Sequence, residues 1–158
     1  MTTNPSGTLV GGRHHYIARV YYEDTDAGGV VYHANYLRYA ERARSEALRL
    51  LGVPHAEMVS LHGLMFMVRR VKVDYLGPAR LDDSLKVITY PLEIGAASTL
   101  LSQNIERESE PGRVLVALEL QLACVRVADQ KPARMPPPWR AALRSMSDGL
   151  EVASNGAQ

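Results

Sequence analysis

Two carboxylates separated by one residue, Asp24 and Asp26, lie in the stretch Tyr21-Tyr-Glu-Asp-Thr-Asp-Ala-Gly-Gly-Val-Val-Tyr-His-Ala-Asn-Tyr36. Helical spacing begins directly after it. The first turn of a helix offers free backbone N–H groups and positive partial charge. A carboxylate just ahead of such a terminus is placed to act on a polarised carbonyl. That pairing suits acyl transfer: the carboxylate is the base or nucleophile, and the helix start stabilises the oxyanion. The same residue types also cap turns, which is the ordinary structural use of Asp and Thr in a glycine-containing loop. A metal is not expected. The two acids stand without a His-x-x-x-His pair, a cysteine cluster or a further acid at ligand spacing. Gly28-Gly29 lacks the Lys-Ser/Thr of a phosphate-binding loop.

The elements around this stretch follow from hydrophobic spacing. Residues 15–22 carry Tyr16, Ile17, Val20, Tyr21 and Tyr22 and read as a strand. Residues 35–51 place Tyr36, Ala40, Ala43, Ala47, Leu48 and Leu51 at helical intervals, with Asn35 as the expected N-cap and Gly52 and Pro54 closing the C-terminus. Three alanines on the apolar face allow a sheet to approach closely. On the polar face, Glu41 has Arg38 and Arg44 three residues away on either side, so a solvated ion pair is expected there. Four strands are expected at 64–75, 84–94, 99–108 and 114–127, the last with clear alternation from Val114 to Leu122. Short turns between the late strands predict an antiparallel meander. The result is an α+β architecture, one long helix across a curved sheet of five strands. Residues 1–12 read as a flexible tail, 13–136 as one domain, and 137–158 as a proline-rich tail with a short helix at 139–146 and disorder from 147.

Bulk properties narrow the field. With 158 residues, one domain is expected. A net charge of +1 gives no reason to expect a nucleic-acid partner. The single cysteine, Cys124, can form no internal disulfide and reads as buried filler. No apolar run approaches the roughly 20 residues of a transmembrane helix, and the N-terminus lacks the features of a signal peptide, so a cytoplasmic protein is expected.

Residues 20–36, together with Tyr39-Ala-Glu-Arg-Ala-Arg44, Asp74-Tyr75 and Pro78-Ala-Arg-Leu-Asp-Asp83, closely resemble the YbgC-like branch of the 4-hydroxybenzoyl-CoA thioesterase family. The resemblance covers residues 13–136. It implies a hotdog fold and hydrolysis of acyl-CoA thioesters, with short or medium aliphatic chains preferred and no cofactor. It also implies that Asp26, the second Asp of Asp-Thr-Asp, is the nucleophile or general base. His33 would mark the helix start, where a backbone N–H polarises the carbonyl and the imidazole assists. Gly29 and Tyr32 would flank the site. A homodimer joined edge to edge, assembling to a homotetramer, is implied, with sites at the subunit boundary and acyl carrier protein as a further partner.

Coenzyme A carries phosphates, and Arg69, Arg70 and Lys72 on one expected strand are the basic residues assigned to it, with Arg126, Lys131 and Arg134 as further candidates. Asp24 is assigned to turn support rather than catalysis. Met58, Met65 and Met67 fit a core role better than an acyl tunnel. Two rival functions share this fold. One is a hydratase or dehydratase, whose His-rich motif with Phe-Pro-Gly is missing here. The other is a non-catalytic module that binds acyl carrier protein.

Overall fold

The alternation of small and aromatic residues after Ala34 builds the central helix, α1 (Asn35–Leu50), which buries Tyr36, Tyr39, Ala40, Ala43, Ala47 and Leu48. This computed structural model describes residues 4–156, with side chains as far as residue 147; residues 1–3 and 157–158 of the two expected tails lie outside the described residues. Gly52, at φ +81°, takes the left-handed conformation that ends α1, and the amide of Val53 returns to the carbonyl of Leu48 at 2.9 Å. Asn35 is not the cap. Ala34 holds that position, and the Asn35 side chain is used elsewhere.

The strands are β1 (Thr8–Val10), β2 (Arg13–Arg19), β3 (Leu64–Tyr75), β4 (Ser84–Ile94), β5 (Ser98–Arg107) and β6 (Val114–Arg126). They form one antiparallel sheet in the order β1-β2-β4-β5-β6-β3. The sheet therefore has six strands rather than five. The additional strand, β1, comes from the stretch read as tail; it is short and exposed, and backbone pairing to β2 forms it without any apolar pattern. The meander holds for β4, β5 and β6. β3 pairs with β6 instead of β4, so residues 76–83 cross the sheet and leave β3 as an outer strand.

Two further helices extend beyond the sequence expectation. The segment α2 (His55–His62) buries only Met58, so it offers no periodic apolar face to read. The segment α3 (Pro137–Gly156) is much longer than the expected 139–146. Pro137 fits a first helical turn, and Trp139, Ala142, Leu143 and Met146 are buried at helical spacing. Tertiary burial supplies what local propensity lacks.

The core has two parts. One gathers the first half of α1 against Val87, Ile105, Leu118 and Leu120 of the sheet. The other joins Leu48, Met58, Leu101, Leu122 and Cys124 to the buried face of α3. The alternation expected on β6 holds in its middle: Val116, Leu118, Leu120 and Leu122 are buried while Glu119 and Gln121 face water, but Val114 is only half-buried, and Leu115 and Ala123 of the opposite set are buried as well. Among the described residues no helix is long and apolar enough to cross a membrane.

Candidate active site

The Asp-Thr-Asp-Ala-Gly-Gly stretch folds into a small hairpin against the start of α1. Residues 24 and 32 pair through Tyr32 N–H to Asp24 O (2.9 Å), and residues 26 and 30 through Asp26 N–H to Val30 O (2.9 Å). The tip is a β-turn from Asp26 to Gly29, closed by Gly29 N–H to Asp26 O at 3.0 Å. Gly29 has φ +77°, which a residue with a side chain adopts only at a cost. The Asp26 carboxylate accepts the Gly28 amide at 2.8 Å, and a methyl group at Gly28 would stand 3.2 Å from that oxygen. The bare glycine keeps the carboxylate in place at an exposed tip.

The two acids have separate environments. Asp24 is buried, at 7% exposure, and accepts the Tyr21 amide (2.8 Å) and the Asn35 side-chain amide (2.7 Å). Burial alone would raise its pKa, but these bonds outweigh burial and hold the carboxyl below the usual range. Burial and the adjacent Asp24 charge push the Tyr39 hydroxyl well above its ordinary value. Asp24 thus fastens the hairpin to the first turn of α1 and stays ionised. Asp26 is exposed and carries no such partners.

His33 and Tyr32 lie between the hairpin and α1, both exposed, with ring centroids 4.6 Å apart. Among the described residues, the amides of His33 and Ala34 find no acceptor. These are the free donors expected at a helix start. Tyr75, at the end of β3, donates its hydroxyl to the His33 carbonyl at 3.0 Å and packs against Tyr36, with centroids 5.9 Å apart. Tyr36 in turn accepts the Ala79 amide at 3.0 Å, and Ala79 O accepts the Val31 amide at 2.9 Å. Arg107 steadies that crossing segment by donating to Asp83 (3.0 Å) and to Pro78 O (3.0 Å). The approach to α1 is therefore fixed from both sides.

The structure places Asp26 and Gly29 in one turn at the hairpin tip, and Tyr32 and His33 side by side where the hairpin runs into α1. The basic residues are placed differently. Arg69 is the extra residue of a bulge, since Val68 pairs with Leu122 and Arg70 with Gln121. Arg70 and Lys72 alternate with Val71 and Val73, which pack on the core, so they face the side of the sheet away from α1. Lys72 stands opposite Glu119 there. Tyr75 had no assigned part; it lay within the Asp74-Tyr75 motif, but only the fold shows that its hydroxyl holds the His33 carbonyl. Met58 is fully buried in the core. Among the described residues, no group of three or more His, Cys, Asp or Glu is arranged to hold a metal.

One helix wrapped by an antiparallel sheet, with a carboxylate-bearing turn at its start, defines a hotdog-fold protein. Residues 28–113 match the Thioesterase superfamily, and the chain belongs to that family. It is 41% identical over 128 residues to the acyl-CoA thioesterase YbgC of Haemophilus influenzae, covering 81% of this chain and 92% of the relative. It is 40% identical over 118 residues to the acyl-CoA thioester hydrolase YbgC of Escherichia coli O6:H1, covering 75% and 86%. Among solved structures, a Bartonella henselae protein described as a probable thioesterase superposes with a TM-score of 0.72 at 34% identity, covering 78% of this chain and 99% of that one.

Proposed function

We propose that this chain hydrolyses acyl-CoA thioesters to a free acid and CoA, with Asp26 attacking the carbonyl or activating water. Acyl-CoA thioesterase activity is the function of the YbgC relatives, which match most of the chain. The observation that supports the mechanism is the hairpin that carries Asp26 at its tip and runs on through Tyr32 into the free amides of His33 and Ala34. A thioester carbonyl seated over those amides gains an oxyanion stabiliser, typically worth about 10²–10³ in rate per donor. The exposed His33 ring assists, and Gly29 and Tyr32 shape the approach. Short or medium aliphatic chains are the substrates proposed.

The outer strand β3 ends at Tyr75, whose hydroxyl meets the His33 carbonyl. A 12-residue strand with a free edge is a template for pairing. Edge-to-edge joining of two β3 strands would close each site at a subunit boundary. It would also bring Arg69, Arg70 and Lys72 to that boundary, where CoA phosphates are to be held. A tetramer of two such dimers in the cytoplasm, with acyl carrier protein as an alternative carrier of the acyl group, completes the reading.

The test is thiol release across a panel of acyl-CoA chain lengths and aromatic esters. Steady thiol release from short or medium esters is expected, and its absence across the whole panel overturns the hydrolase reading. Sedimentation at micromolar concentration is expected to give a dimer or tetramer, and a monomer rejects the edge pairing.

A further inference from the structure

Away from the Asp26 turn, a cavity of about 430 Å³ lies between the second half of α1, the start of β3 and α3. Its walls are mostly apolar, with Leu48, Phe66, Leu101, Leu143 and Met146 among them. Met65, expected in the core, also lines it. Among the described residues, the guanidinium-bearing side chain that lines this space is Arg44.

Arg44 is held in a fixed position. Its Nη1 donates to Gln103 Oε1 at 3.0 Å. Gln103 is itself completely buried and donates through Nε2 to Ala40 O and to Thr89 Oγ1, both at 2.9 Å. Among the described residues, no carboxylate lies within ion-pair distance of Arg44. Glu41 also lines the cavity, but it is exposed to water, which screens its charge. His55 lines it too; burial and the Arg44 charge lower its pKa, which keeps the ring neutral near pH 7. A guanidinium has five N–H donors in a fixed fork. Nη1 is bonded to Gln103, and the fork has further donors from which a bound oxygen can be held.

α1 and β3 link the hairpin to the cavity: His33 and Tyr75 meet at one end of the pair, and Arg44 and Phe66 flank the cavity at the other. Arg44 lies nine residues beyond Asn35, about 14 Å along the helix axis. A medium-length chain attached to a carbonyl at the helix start spans that distance.

We propose that the cavity receives the far end of the acyl group and that Arg44 hydrogen-bonds an oxygen there, so that the preferred substrates carry a carboxylate or hydroxyl at the end opposite the thioester. This rests on the thioesterase reading above and adds the substrate class. Arg44 then acts as a specificity determinant.

The experiment compares acyl-CoA esters of matched length, about eight to twelve carbons, ending in a methyl, a hydroxyl or a carboxylate. For the wild type, kcat/KM is expected to favour the oxygenated ends by about tenfold or more, mainly through KM. The carboxylate and hydroxyl arms show which oxygen Arg44 prefers. In Arg44→Met the ratio between oxygenated and methyl ends is expected to fall to about one, while Arg44→Lys keeps part of it. A wild type without preference for a terminal oxygen, or a preference that survives Arg44→Met, overturns the proposal. Calorimetric titration with two non-hydrolysable CoA thioethers, S-decyl-CoA and S-(9-carboxynonyl)-CoA, separates the two levels, because the free end of each is its only variable group. Tighter binding of the carboxylate-ended thioether that Arg44→Met abolishes supports the cavity assignment even if no ester is hydrolysed; equal binding of the two, or binding of neither, rejects it.

Discussion

Asp26→Asn is expected to leave the fold intact and lower kcat by roughly 10²–10⁴, the usual loss for a positioned base, or more if Asp26 is the nucleophile. The separation of fold from activity follows from the local geometry. Asp26 stands at an exposed turn tip, and its carboxylate contributes one bond, accepted from the Gly28 amide. An asparagine oxygen accepts the same bond at the same distance, so the turn and the Asp26–Val30 backbone pair persist. Exposed substitutions of this kind change stability by about 0.5 kcal/mol or less. The amide, however, can neither take a proton from water nor attack a carbonyl. The free amides before α1 remain, so residual turnover above background is expected from oxyanion stabilisation alone. Thiol release by the purified variant, measured beside its melting curve, checks both halves. Near-normal turnover removes Asp26 from the mechanism, and a large fall in melting temperature shows that the residue is chiefly a turn cap.

What the sequence made legible was whatever depends on spacing within one element. The apolar face of α1 and the alternation of β6 were readable because helix and strand periods differ. The candidate site stretch was readable because acid, glycine pair and helix start follow one another without interruption. What stayed hidden depends on partners far away in the chain. β1 exists through its pairing with β2, and α3 through the apolar surface beyond the end of α1. Arg44 shows the same limit. Its spacing from Glu41 suggested a solvated ion pair, but the fold carries it to Gln103, 59 residues away, and turns it toward a cavity. Arg70 and Lys72 were visible as a basic cluster, yet their side of the sheet was fixed only by the pairing of β3 with β6 and the packing of the valines between them.

Asp24→Ala is expected to destabilise the protein by about 2–4 kcal/mol and to reduce activity without touching the reacting atoms. The carboxylate of Asp24 is the shared acceptor for the Tyr21 amide and the Asn35 side chain. Asn35 is itself buried, at 6% exposure, so truncation leaves its amide group without a partner and with little access to water. Asp24→Asn is expected to cost nearly as much, because each carboxylate oxygen accepts one donor, and an NH₂ group in place of either oxygen would face a donor instead of accepting from it. The sign of the pH dependence follows from the lowered pKa in the folded state. The Asp24 contribution is fully present above the ordinary carboxylate value of about 4, and is lost as pH falls through the lower folded value. The stability gap between wild type and Asp24→Ala should therefore be widest near neutrality and shrink in strong acid. Denaturant melts at several pH values measure that gap directly. A gap that is already absent at pH 7 would show that the hairpin is held to α1 by its backbone bonds alone, and that the buried acid is dispensable to the site.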